Sequence, residues 1–148
     1  PADTFHEKVE PYWPWATQEW VFVAGKLPLN VPTLNAPFPC TRSGFLKQIS
    51  LVAAKPGVNI ERMFTHWLDV HAPNVQKTMN KVGGFRYAVS LSMDLDHAPY
   101  AGMAELYFPN ADSQGAFWRT IEPDGFQEWV DADATLRFRC DTEMVGIP

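Results

Sequence analysis

"GGFRYAVSLSM", residues 83–93, decides the fold. Two glycines stop whatever helix precedes them. Directly after, Phe85, Tyr87, Val89, Leu91 and Met93 fall on one side and Arg86, Ser90 and Ser92 on the other, the two-residue period of a strand. Upstream, Asn59 can cap a helix and Glu61 suits its first turn, so a helix is expected from there to about Val82. Before it, "FLKQISLVAA" (45–54) reads as a strand closed by the turn pair Pro56-Gly57. Downstream, "DLDHAPYAG" (94–102) is a loop and "MAELYF" (103–108) a strand. Two helical stretches follow, "ADSQGAFWRTI" (111–121) and the shorter "PDGFQEWVDAD" (123–133), and "TLRFRCDTEMV" (135–145) alternates as a last strand.

The order from residue 45 is β-α-β-β-α-β, an α+β, ferredoxin-like arrangement: one antiparallel sheet with helices on one face. Both faces of the strands carry apolar side chains, so the uncovered face is expected to pair with a second copy, sheet to sheet, in a homodimer. Residues 1–44 differ. They hold seven of the thirteen prolines and several aromatics, as in "EPYWPWATQEWVFVAG". Proline at this density prevents a long helix or a central strand, and such aromatic content is wrong for a solvated tail. The segment is expected to be an arm over the domain or its neighbour, with "EWVFVAG" a short strand or helical turn. Trp13, Trp15, Trp20 and Phe22 are expected to be its packing anchors; the alternative is that some of them wall a ligand pocket.

Composition narrows the function classes. The 148 residues suit one compact domain, and 46% hydrophobic with 20% charged residues is ordinary for a globular protein. A net charge of -5 without a Lys/Arg cluster argues against nucleic acid as a partner. No apolar run approaches the roughly 20 residues of a membrane span, and no signal-peptide pattern opens the sequence. Cys40 and Cys140 have no CxxC spacing and no adjacent histidine, so two free thiols of a reducing, cytoplasmic setting are expected, with no metal site.

"THWLDVHAPNVQ" (65–76) carries the chemistry. On a helical wheel of about 100° per residue, Val70, Met63, Trp67, Ile60, His71 and Phe64 span roughly 120°. His71 thus lies inside the apolar stripe. Pro73 lacks the N–H that would reach the Asp69 carbonyl, and its ring clashes there, so the helix should kink or loosen at His71. Most such histidines are satisfied core residues. A kink opening space beside a buried imidazole, whose pKa falls and leaves it neutral, favours a base instead.

The elements "FTHWLDVHAPNV", "GGFRYAVSL" and "YAGMAELYF" resemble the EthD-like branch of the dimeric α+β barrel proteins over residues 45–146. The resemblance rests on a W-x-x-x-H-x-P helix (Trp67, His71, Pro73), a strand with Tyr87, and a strand with Glu105 and Tyr107. It implies a domain over 45–148 that pairs into a dimeric α+β barrel, with a pocket between sheet and helices and His71 as general acid/base. Tyr87 would hold a substrate oxygen; its alternative is core packing. Glu105, between Ala104 and Leu106, is either paired with an arginine or used in catalysis. Trp67, His66, Tyr107, His97 and Tyr100 are candidate substrate contacts, the last two from a loop that could close over the pocket mouth.

No nucleotide-binding glycine loop, metal-ligand set or nucleophile elbow is present. The leading expectation is a cofactor-independent lyase or isomerase. Its substrate would be a small hydrophobic oxygenated molecule, such as an aromatic acid, a lactone or a polyketide-like ring, and decarboxylation falls within that logic. The alternatives are a non-catalytic accessory dimer and a haem-binding oxygenase with His71 as axial ligand.

Overall fold

In the computed structural model, residues 15–28, 40–140 and 143–146 are described, with backbone alone for 40–43 and 143–146. Trp13 and the proline-rich stretch 29–39 lie outside the described residues. The chain runs β1 (Thr17–Ala24), β2 (Cys40–Ser43), β3 (Leu46–Ala54), α1 (Ile60–His66), a π-helical turn (Trp67–His71), α2 (Ala72–Val82), β4 (Arg86–Ser92), β5 (Gly102–Phe108), α3 (Ala111–Thr120), a 3-10 turn (Phe126–Glu128), β6 (Val130–Cys140) and β7 (Glu143–Gly146).

Five strands form one sheet in the order β1-β4-β5-β3-β6, each neighbour antiparallel. Leaving out β1, this is the expected β-α-β-β-α-β sheet with helices on one face. "EWVFVAG" resolves to a strand: β1 zips onto β4 and closes an edge that would otherwise stay open to stray pairing. Trp20 and Phe22 pack against the core, and Trp15 Nε1 donates to Ser92 Oγ at 2.7 Å. A separate two-stranded ribbon joins β2 and β7, so the expected last strand is divided into β6 and β7.

Local signals explain the element ends. Asn59 accepts from the Arg62 N–H at 2.9 Å and starts α1, as expected. Gly83, at φ 76°, closes α2 in the left-handed region where a Cβ is penalised. Asn110 caps α3 through Ser113 N–H at 2.9 Å.

The second expected helix, 123–133, is a correction. Gly125 at φ 84° breaks the pattern, one 3-10 turn follows, and β6 begins at Val130, which pairs with Ala54. Lys55 N–H bonds the Trp129 carbonyl at 2.9 Å, drawing the chain back onto the sheet. Ladder hydrogen bonds at this edge outweigh a weak helical period.

The core lies between sheet and helices, around Trp67, Tyr87, Phe108, Phe117, Met63 and Met79, all fully buried. Gly102 fits here because a Cβ would meet Ser90 O at 2.7 Å and the Trp67 ring at 3.1 Å. The opposite sheet face carries Ile49, Leu51, Leu136 and Phe138, which pair across strands and so share a side. Leu136 and Phe138 remain 43% and 48% exposed there. Among the described residues no helix is long and apolar enough to cross a membrane.

Candidate functional site

The expected loosening at His71 takes the form of a π-helical turn. Ala72 N–H reaches back five residues to the Trp67 carbonyl. The wider turn precedes Pro73, which then sits in the first turn of α2, where a missing N–H does little harm. It also shifts the helical phase, so Val70, placed in the apolar stripe by the wheel, is exposed instead. His71 keeps its inward aim, with 22% of its side chain exposed.

Its Nδ1 lies 2.8 Å from Asp124 Oδ2. Asp124 is held in turn by two further groups. Asn74 Nδ2 donates to Oδ2 at 2.8 Å, while also donating to the Glu122 carbonyl, and Phe126 N–H donates to Oδ1 at 3.1 Å. The Phe126 ring stacks on the imidazole at 4.2 Å and 17°. A carboxylate on Nδ1 selects the tautomer with the proton there, leaving Nε2 as the acceptor. Among the described residues Nε2 has no partner.

The electrostatics agree with that tautomer. Burial lowers the His71 pKa below the usual 6.5 despite the opposing pull of Asp124, so the ring is neutral near pH 7. Burial would raise the Asp124 pKa, but the Asn74 hydrogen bond, the His71 charge and the Phe126 N–H together hold it below the usual carboxylate range. Burial also drives the Tyr87 phenol well above its usual value, and the Asp124 charge adds to this, so Tyr87 stays a neutral donor. The Trp67 indole N–H lies near enough to pull the phenol slightly back. Its geometry falls short of a hydrogen bond, and Trp67 Nε1 is buried without an acceptor among the described residues.

These groups line a cavity of about 450 Å³ between sheet and helices. Its floor on β3, β5 and β6 mixes Gln48, Ser50 and Thr135 with Val52, Leu106 and Val130, and Arg137 also lines it. Gln48 is fixed by Gln114 Nε2 at 2.8 Å.

The cavity unites three of the residues expected from the sequence: His71, Tyr87 and Trp67. Others lie elsewhere. Glu105 and Tyr107 alternate with Ala104 and Leu106, so they sit on the opposite sheet face. Glu105 pairs with Lys47 at 2.6 Å, where arginine was the expected partner, and Lys47 also lies 5.0 Å over the Tyr107 ring. That ion pair raises the Lys47 pKa against the effect of burial. His66 stands behind Phe126, its ring parallel at 6.3 Å, and its buried Nε2 has no partner among the described residues. His97 is solvent-exposed and bonded to Asp94, and Tyr100 packs 6.0 Å from Trp15. Neither lines the cavity.

Asp124, Asn74 and Phe126 went unseen in the sequence, and Arg137 was read there chiefly as a solvated strand-face charge, with a substrate carboxylate or Glu105 as its possible partner. For Asp124 a signal existed: Pro123-Asp124-Gly125 is a turn triplet rather than a helix start. Among the described residues no three His, Cys, Asp or Glu side chains gather into a metal donor set. Cys140 is a free thiol.

The EthD domain model matches residues 55–138, more than half of the chain and the whole span from His71 to Arg137. The chain belongs to the EthD family. No curated protein matches it. Among solved structures it is similar to a protein of Bacteroides fragilis NCTC 9343 described as dimeric, of unknown function and of ferredoxin-like fold. The two share 15% identity over 68% of this chain and 99% of the other, with a TM-score of 0.49. This EthD domain therefore carries Tyr87, Trp67 and His71 on the wall of one cavity, and its Glu105 on the far side of the sheet.

Proposed function

We propose that this EthD domain is a cofactor-independent lyase or isomerase that moves a proton on a small, hydrophobic, oxygenated substrate. The observation that carries the reading is the His71–Asp124 pair opening on the cavity. His71 Nε2 takes a proton from carbon or oxygen, and the same nitrogen returns it elsewhere on the molecule. Asp124 acts through His71: it fixes the ring and steadies the imidazolium formed in the step. Tyr87 donates to the substrate oxygen on which charge develops. The apolar floor and the rings of Phe117 and Phe126 receive the flat body of the substrate and exclude water. The working unit is a homodimer paired through the open sheet face, with residues 1–44 as an arm on the 45–148 domain.

Incubation of the protein in D2O with aromatic acids, lactones and phenolic ketones, followed by NMR, tests the chemistry. Turnover or site-specific deuterium exchange is expected for one class, and His71→Ala should lower it at least about 100-fold. Conversion unchanged in that variant would refute the mechanism.

A further inference from the structure

The charges around the cavity are distributed unevenly. Asp124 and Glu122 line its helix side, on the segment after α3. Arg137 lines the sheet side, directly across the β3–β6 pairing from Ser50. Cross-strand partners share a face, so guanidinium and hydroxyl are neighbours on the cavity wall. Ser50 is buried, 9% exposed, whereas Arg137 is exposed, so the pair runs from the cavity wall toward its mouth. Lys47, on the other face, is engaged with Glu105, and Arg139 also has a partner. Arg137 makes no ion pair among the described residues. A guanidinium with no ion-pair partner among the described residues, lining a cavity that also carries Val52, Leu106 and Val130, is suited to receive an anion.

We propose that Arg137 and the Ser50 hydroxyl form a carboxylate subsite, so that the substrate is an organic acid held by its carboxylate at the sheet while its apolar body extends toward His71. This rests on the reading of the cavity as a substrate site. The field across the cavity sets the direction of binding, since Asp124 and Glu122 repel a carboxylate from the other end. The chemical consequence is specific. A carboxylate clasped by a guanidinium is stabilised as the anion, so it serves as a handle and is not the group lost. His71 then acts at a carbon or oxygen remote from it.

Benzoate and 1-naphthoate, each compared with its methyl ester by calorimetry at neutral pH, test the subsite. The acids should bind about 10- to 100-fold more tightly than the esters, the range of one or two charge-assisted hydrogen bonds. Arg137→Gln should erase that preference while leaving ester affinity intact, which also shows that the variant is folded. Arg137→Lys should retain part of it, because an ammonium cannot make the paired contact. Esters binding as well as acids, a preference that survives Arg137→Gln, or no binding of either probe would each overturn the proposal. The two readings fail separately. Loss of the acid preference with His71-dependent turnover intact sinks only the subsite. An acid preference that persists with turnover unchanged in His71→Ala sinks only the proton transfer.

Discussion

At the scale of single residues, the behaviour of His71 follows from two opposing effects. Burial penalises the imidazolium and lowers its pKa below 6.5; Asp124 favours the imidazolium and raises it, and burial prevails. The base is the neutral ring, so activity should be full at neutral pH and fall only as pH drops through a value below 6.5. Asp124→Asn removes the raising effect and should move that acid limb to still lower pH. Turnover should fall on the order of 100-fold or more, because an amide can present an N–H to Nδ1 and favour the wrong tautomer. A pH–rate profile with neither change would reduce Asp124 to a packing contact. His71 and Tyr87 were legible as candidates because each breaks a local pattern, an imidazole in an apolar stripe and a phenol in an apolar strand. Asp124 was not, because its role depends on side chains 50 and 53 positions away.

At the scale of elements, the π-helical turn is the device that aims His71. Its cause is written in Pro73, whose ring and missing N–H spoil an ordinary turn at Asp69. Its shape was not legible, since a kink, a break and a widened turn all satisfy the same proline. Pro73→Ala supplies the missing donor and lets the segment relax toward an ordinary helix. The expected result is a denaturant stability within about 1 kcal/mol of the parent, since Pro73 already occupies a tolerated first-turn position. Turnover should nevertheless fall about tenfold or more as the ring turns off its line to the cavity. Equal turnover would mean that the turn does not position the base. The segment 123–133 teaches the converse. Its helical period was real but weak, and the edge of β3 captured it as a strand from Val130.

At the scale of the whole molecule, the sheet has one face under helices and one carrying the half-buried Ile49 and Leu51 with the exposed Leu136 and Phe138. Apolar surface of this kind is favourable to bury. Leu136→Glu together with Phe138→Glu should convert the proposed homodimer to a monomer in sedimentation velocity, leaving the circular dichroism of the domain unchanged. A parent chain already monomeric at the same concentration would sink the sheet-to-sheet dimer. Lys47, Glu105 and Tyr107 belong to this face, so their substitution should act on assembly before it acts on His71.

The sequence by itself determined the order β-α-β-β-α-β, the helix caps at Asn59 and Gly83, and the disturbance at His71, because each depends on residues a few positions apart. Only the tertiary structure decided which side of the sheet each candidate faces. Alternation shows that Tyr87 and Val89 share a face, and that Glu105 and Tyr107 share one, but not which of these faces meets the helices. It also decided that Asp124, Asn74 and His71 meet, since the chain must close long loops to bring them together. Contacts across such separations depend on the packing of the whole domain rather than on any local preference.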